Sequence, residues 1–104
     1  MIRANLKTAS GIDISEYSVV GANGTGGGSY SISTPAVADD IIIVSSDGAS
    51  TTLSGVTAEL VESCTGTSGS CEIYLVTVGG TVSFTATSAG SHTSVLLCRK
   101  STTP

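Results

Sequence analysis

The sequence predicts an all-β fold, an antiparallel β-sandwich or jelly roll of about seven or eight short strands with an extended N-terminal arm. β-branched or alternating runs are separated by glycine, serine and aspartate turn signals about every 8–12 residues. Ser and Thr make up about a third of the 104 residues and Gly adds 13, whereas helix-forming residues are sparse. The length is that of one domain. We assign residues 1–15 to an arm or edge strand and residues 16–104 to the sandwich.

The first part of the chain predicts two strands around a glycine-rich loop. Glu16–Val20 predicts a short strand, and the stretch 21–29 after it predicts a loop or hairpin connection. Ser29–Ser33 predicts the next strand, because Tyr30 and Ile32 fall on one face of it.

The middle of the chain predicts two more strands. Asp40–Ser46 is a β-branched run that ends at Asp47-Gly48, a strong turn signal. Thr51–Leu53 predicts a short strand, and Ser54-Gly55 predicts the turn that follows it.

Four further strands are predicted, at residues 57–64, 72–78, 81–87 and 93–100. The loop 65–70 joins the first two as a hairpin. Gly79-Gly80 is typical of a two-residue hairpin turn between the second and the third. Val82, Phe84 and Ala86 alternate with polar residues, so we expect them to be buried.

Basic residues occur only near the two ends of the sequence. Arg3, Lys7, Arg99 and Lys100 are the only four, and eight carboxylates lie between Lys7 and Arg99. A nucleic-acid binder needs a basic face across its fold, and an acidic body is repelled by anionic membranes. We therefore expect neither a nucleic acid nor a membrane as a partner.

Three predicted strands are apolar on both faces: residues 41–44, 73–76 and 95–98. A sandwich face that meets water normally alternates, so we expect something to cover these outer faces. Two candidates stay open, the chain's own N-terminal arm and a neighbouring subunit. The residues predicted to contact a partner are Arg3, Lys7, Ile42, Val44, Tyr74, Val76, Leu96, Arg99 and Lys100.

Two of the three cysteines flank the predicted hairpin loop. Cys64 and Cys71 face each other if residues 57–64 and 71–78 form a hairpin, and a disulfide between them is geometrically reasonable. The alternative is a pair of reduced thiols, the usual state inside a cell. Cys98 is then left over, and we expect it to pack as a small apolar residue.

The sequence offers little for catalysis or for holding a cofactor. His92 is the only histidine, and the cysteines lack the close spacing of a zinc knuckle, so we expect neither a metal nor another cofactor. No Gly-x-Ser-x-Gly motif is present that would mark a nucleophilic serine. We therefore predict that the protein is not an enzyme, with a serine hydrolase that uses His92 as the remote alternative.

From Thr34 onward the chain resembles a small β-sandwich module that recurs in virion proteins of tailed bacteriophages. The resemblance covers about two thirds of the chain. It rests on four stretches: TPAVADDIIIVSSDGAS (34–50), CEIYLVTVGG (71–80), TVSFTATSAG (81–90) and SVLLCRK (94–100). The family usually carries a Pro-rich segment with a Trp after the first turn, whereas residues 51–63 contain neither.

The resemblance implies a structural virion protein without enzymatic activity. The first hypothesis is a capsid decoration, or cement, protein that is made in the host cytoplasm and binds the outside of a phage head. Its expected partners are the major capsid protein and further copies of itself, as a homotrimer. The alternative is a module of the tail or a fibre that binds host-surface carbohydrate.

Overall fold

A computed structural model of the chain describes residues 14–25, 28–46, 51–65, 69–86 and 93–101. These residues form a 3₁₀ helix, Ile14–Glu16, and eight strands. The strands are β1 (Tyr17–Thr25), β2 (Gly28–Ser31), β3 (Ile41–Ser46), β4 (Thr51–Ser54), β5 (Thr57–Thr65), β6 (Ser70–Val78), β7 (Ser83–Ala86) and β8 (Thr93–Lys100). The predicted arm, residues 1–15, lies outside the described residues except at its last two positions.

The strands form two antiparallel sheets, which confirms the predicted all-β sandwich. The larger sheet has the order β1-β8-β3-β6-β5, and the smaller has the order β2-β7-β4. Three of the pairings, β1 with β8, β2 with β7 and β3 with β6, join strands whose numbers add up to nine. This is the pairing of a jelly roll, in which one long hairpin is wound into two sheets.

One strand departs from that scheme. Continued to the end, the scheme would pair β4 with β5 in the smaller sheet. Instead β5 pairs with β6 and extends the larger sheet. The larger sheet therefore has five strands and the smaller has three, so the smaller sheet does not cover the whole inner face of the larger one.

The core lies between the two sheets. Its buried members are Ile32, Ala36, Ile42, Val44, Val76, Val82, Phe84, Val95 and Leu97. The strict alternation in residues 81–87 correctly predicted the burial of Val82 and Phe84, and the side chain of Ala86 lies outside the described set. Tyr30 packs against Phe84, with ring centroids 5.9 Å apart.

The predicted loop at residues 21–29 is wrong over its first half, because β1 continues to Thr25. A bulge between Val19 and Gly21 shifts the register while the pairing with β8 goes on. A Cβ at Gly21 would lie 2.5 Å from Ile32 Cγ2. This glycine therefore allows a close approach of two segments rather than a turn.

The predicted hairpin turn at Gly79-Gly80 is also wrong, because β6 and β7 belong to different sheets. The chain crosses between the sheets here, as it does at Gly55 after β4. The two crossings pack against each other so closely that a Cβ on Gly80 would lie 2.2 Å from Gly55 O. The two glycines are needed for this backbone contact. In the sequence alone, glycines with this role look the same as a turn signal.

Candidate functional site

The outer face of the larger sheet carries a second apolar cluster, which we call the outer patch. Its centre consists of Ile41, Ile73 and Cys98, which are 0%, 8% and 5% exposed. Its rim consists of half-buried residues that pack against this centre: Tyr17, Ile43, Val61, Leu75 and Leu96. The larger sheet is therefore apolar on both faces, as the uninterrupted apolar runs predicted.

The prediction of individual contact residues is partly wrong. Ile42, Val44 and Val76 were predicted to contact a partner, but they are buried between the two sheets. Burial excludes them from any contact with another molecule. Leu96 does lie in the rim of the outer patch.

Tyr74 faces the smaller sheet rather than the outer patch. It is half-buried beside the core and lines an open groove of about 280 Å³, together with Thr52, Leu53, Val56 and Ala58. The groove exists because β5 belongs to the larger sheet rather than to the smaller one. The inner face of the larger sheet is therefore left uncovered here. Leu60, which is in register with Tyr74, is consequently 51% exposed.

The Tyr74 hydroxyl is held by a carboxylate. Burial raises the pKa of Tyr74, and the charge of Glu72 and the hydrogen bond that the hydroxyl donates to the Glu72 carboxylate raise this pKa further. The hydroxyl is therefore a neutral donor over the physiological pH range.

Arg99 is engaged within the chain. Its Nε and Nη2 donate to Asp40 Oδ1 and Oδ2 over 3.0 and 2.9 Å, and Nη2 also donates to Pro35 O over 3.0 Å. Hydrogen bonding to Asp40 raises the pKa of Arg99. The predicted contact role of Arg99 is thus restricted to the part of its side chain that stays exposed.

Lys100 forms a looser pair near the same end of β8. Its Nζ lies 3.1 Å from Glu16 Oε2, and both side chains are largely exposed. The Ser101 N–H donates to Glu16 O over 2.8 Å, which ties the 3₁₀ helix to the end of β8. Such an exposed pair adds little stability, so Lys100 remains accessible to a partner. Arg3 and Lys7 lie outside the described residues.

Sequence reasoning missed the role of Asp40. This residue is 1% exposed, and its carboxylate also accepts a hydrogen bond from the Val37 N–H over 2.9 Å. The available signal was an aspartate that directly precedes one apolar run, residues 41–44, and an arginine that directly follows another, residues 95–98. Nothing in the sequence indicated that these two residues meet.

Cys64 and Cys71 are register partners in the β5–β6 hairpin, as predicted. Opposed residues in antiparallel strands have Cα separations within the range of a disulfide. Cys71 carries a free thiol in the structure and accepts a hydrogen bond from Ser45 Oγ over 4.0 Å. The disulfide therefore stays a prediction. Cys98 is buried, as expected.

Within the described ranges, no three His, Cys, Asp or Glu side chains lie close enough together to share a metal ion. His92 lies outside those ranges. No helix in the described part of the chain is long and apolar enough to cross a membrane.

Comparison with known proteins adds no relative. No family model matches the chain, and no curated protein or solved structure shows significant similarity to it.

Proposed function

We propose that this protein is a capsid decoration protein, which binds the outside of a tailed bacteriophage head and stabilises it through contacts with the major capsid protein and with its own copies. The observation that carries the proposal is the rim of the outer patch, because the centre of the patch is itself buried. An apolar rim on the outer face of a sheet is a surface that assembly with other subunits can bury.

The open part of this surface is its rim. Val19 is in register with Cys98, so it lies on the same face, and it is 56% exposed at the β1 edge. With the half-buried side chains of Leu96 and Tyr17 it offers an apolar strip that extends from the edge of the sheet toward its centre. Contacts of this kind are individually weak, but symmetry repeats them many times on a particle.

Two further observations support the same class of protein. The acidic body disfavours nucleic acid and anionic membranes as partners. Jelly-roll pairing is common in viral capsid domains, although a fold alone does not define a function. The resemblance to phage virion modules adds the specific context.

The decisive experiment is to measure the number of copies per particle. The phage lysate is sedimented on a density gradient, and this chain is quantified against the most abundant shell protein. We expect many copies in a simple ratio to the shell protein. A few copies would point to the tail, and failure to co-sediment would refute the virion role.

A matched pair of variants tests the contact surface. Val19→Asp introduces a charge on the outer face, and Val78→Asp introduces the same charge at a similarly exposed valine, 60% exposed, at the end of β6. We expect Val19→Asp to weaken binding to stripped particles and Val78→Asp to leave it unchanged. Equal binding by both variants would exclude this strip as the contact.

The groove beside Tyr74 favours a second candidate, a tail or fibre module that binds carbohydrate. A saccharide site combines an aromatic face with hydroxyl and carboxylate groups, and Tyr74, Thr52 and Glu72 provide them. Tyr30 is a poorer platform, because it packs on Phe84. Glycan-array binding that Tyr74→Ala abolishes and Tyr30→Ala retains would favour this function over decoration.

A further inference from the structure

The groove beside Tyr74 lies where the pairing scheme of the sandwich would place another strand. That scheme pairs β4 with β5 in the smaller sheet, but β5 pairs with β6 in the larger one. Among the described strands, none therefore lies beside β4 on the side away from β7. Packed sheets are about 10 Å apart, so a strand in this position would lie above the inner face of the larger sheet.

The floor of the groove is apolar. Ala58 and Leu60 on β5 are in register with Val76 and Tyr74 on β6, which face the core side of the larger sheet. Leu60 is 51% exposed although it lies on this inner face. A ligand that covers Leu60 would remove apolar surface from water, so the floor favours a ligand with apolar side chains.

The wall of the groove is the edge of β4. Thr52 and Leu53 both line the groove, although consecutive side chains of a strand point to opposite faces. The groove therefore reaches the backbone edge of this strand. Within the described residues, β4 makes backbone hydrogen bonds only to β7. Every second residue of an edge strand directs its N–H and C=O groups away from the paired strand, so this edge can take up one more strand.

One end of the groove is acidic. Glu72 precedes Tyr74 by two positions on β6, so both side chains lie on the inner face. The Glu72 carboxylate accepts the hydrogen bond of the Tyr74 hydroxyl, and no lysine or arginine in the described part of the chain forms an ion pair with it. A cationic side chain of a ligand would complement this carboxylate.

We propose that the groove is a docking site for an extended segment of a partner protein, which pairs with β4 as a fourth strand of the smaller sheet. Alternate apolar side chains of that segment cover Leu60 and Tyr74, and a lysine or arginine pairs with Glu72. Addition of a strand to a sheet edge is a recurring mode of peptide recognition. The groove and the outer patch lie on opposite faces of the larger sheet, so the inference does not rest on the decoration role.

The described strands of a second copy do not fit this position. Their only basic residues, Arg99 and Lys100, belong to β8, which is paired on both sides with β1 and β3. β8 therefore has no free edge to offer. A second copy also carries the same net charge of −4, which opposes self-association. The occupant that fits is a basic segment of a different protein.

A peptide-display selection tests the inference. The purified full chain is the bait, and the probe is a library of short random peptides. We expect the enriched peptides to alternate apolar with polar residues and to contain a lysine or an arginine. Methylation of alternate backbone nitrogens in such a peptide should abolish binding in one register and preserve it in the other, because only one edge of the peptide pairs with β4. An apolar groove that binds without strand pairing would not show this alternation.

A matched pair of variants locates the binding. Leu60→Asp places a charge on the floor of the groove, and Val19→Asp places the same charge on the opposite face of the sheet, at a valine that is 56% exposed. We expect Leu60→Asp to weaken peptide binding by about tenfold or more and Val19→Asp to leave peptide binding unchanged. Glu72→Gln should reduce the dependence of binding on salt concentration. If Leu60→Asp does not fold, the methylated peptides decide.

Three results would overturn the inference. The first is a selection that enriches no alternating peptide, and the second is equal binding of the enriched peptides to Leu60→Asp and to the unmodified chain. The third is a concentration-dependent dimer that Leu60→Asp abolishes, because a second copy would then be the occupant. Displacement of the peptide by a saccharide that Tyr74→Ala no longer binds would instead assign the groove to carbohydrate.

Discussion

Arg99 and Asp40 form a bidentate ion pair that joins the last strand to the segment before β3. The two N–O distances are 3.0 and 2.9 Å, and the Asp40 side chain is only 2% exposed. The same carboxylate binds the Val37 N–H, so it also closes the turn that leads into β3. The pair therefore locks the position of β3 relative to β8.

Removal of the Asp40 carboxylate should destabilise the fold. Asp40→Asn keeps the shape of the side chain but loses the charge, and charge-assisted hydrogen bonds of a buried carboxylate contribute about 1.5–3 kcal/mol. We expect a lower midpoint of urea unfolding for this variant. Glu16→Gln, which breaks the exposed pair with Lys100, serves as the control and should change the midpoint little. Equal effects of the two substitutions would contradict the structural role of Asp40.

The stability of the fold should decrease at alkaline pH. Burial raises the pKa of the Cys98 thiol above its ordinary value of 9.0, and the charge of Asp40 raises it further. The unfolded chain then loses this proton at a lower pH than the folded chain. The stability contribution is complete below about pH 9 and is lost as the pH rises through the folded pKa.

Ionisation of Tyr17 and Tyr74 should extend this loss of stability to higher pH, because burial raises the pKa of both side chains above 10.0. Urea midpoints measured between about pH 8 and 10 test the prediction. Cys98→Val should make the first part of the decline shallower. A midpoint that does not change over this range in the unmodified chain would show that these groups ionise equally in both states.

Thr93→Val should stabilise the protein. Thr93 is 1% exposed, and its Oγ1 has no hydrogen-bond partner among the described atoms. A buried hydroxyl without a partner costs about 1–3 kcal/mol, and valine has nearly the same shape. We expect a gain of about 1 kcal/mol in the free energy of unfolding. Thr57→Val, at an exposed position, is the control, and a loss of stability in Thr93→Val would reveal a hydrogen bond that the hydroxyl makes.

Gly55→Ala should destabilise the crossing between the sheets. Gly55 has a φ of +84°, and an added Cβ would lie 2.0 Å from Thr81 O, a backbone atom that cannot rotate away. Left-handed backbone strain and overpacking together cost about 2–4 kcal/mol. Thermal unfolding should show a clear decrease in Tm. The neighbouring Ser54→Ala, at an exposed position, should behave like the unmodified chain.

Oxidation should link Cys64 to Cys71. Treatment with oxidised glutathione transfers the two thiol hydrogens to give two molecules of reduced glutathione and one protein disulfide. Cleavage after Glu62 and Glu72 with a glutamate-specific protease isolates a peptide that contains Cys64 and Cys71 but not Cys98. Mass spectrometry should find this peptide two hydrogens lighter after oxidation, and the loss should be absent from Cys71→Ser. The link closes a short loop, so it should raise the free energy of unfolding by about 2–3 kcal/mol. Stable mixed disulfides with glutathione on both residues would show that the geometry prevents the link.

The sequence predicted the strands better than it predicted their arrangement. Val82 and Phe84 alternate with polar residues, so their face could be assigned correctly. The run Ile41–Val44 is apolar throughout, and nothing in it tells which residues face the core. Its register is determined by partners far away in the sequence, including Arg99. This explains why Ile42 and Val44 were predicted to contact a partner although they face the core.

Glycine signals were ambiguous for a related reason. Gly21 and Gly80 stand where two segments come close together, and the same residue type marks turns. Only the neighbours, Ile32 and Gly55, distinguish the two cases, and they lie 11 and 25 positions away in the sequence. The apolar runs predicted that three strands would be apolar on both faces. Which residues form the centre and the rim of the outer patch could be assigned only from the strand register.

The pairing of β1 with β8 has a consequence for how the protein folds. Tyr17 is paired with Lys100, so the edge of the larger sheet closes a loop that contains most of the chain. Such distant contacts are entropically costly to form and slow folding to the range of milliseconds to seconds. During synthesis β1 must wait until β8 has left the ribosome. We therefore expect β3, β5 and β6, whose pairings are more local, to assemble first and to provide the template on which β8 and then β1 are added.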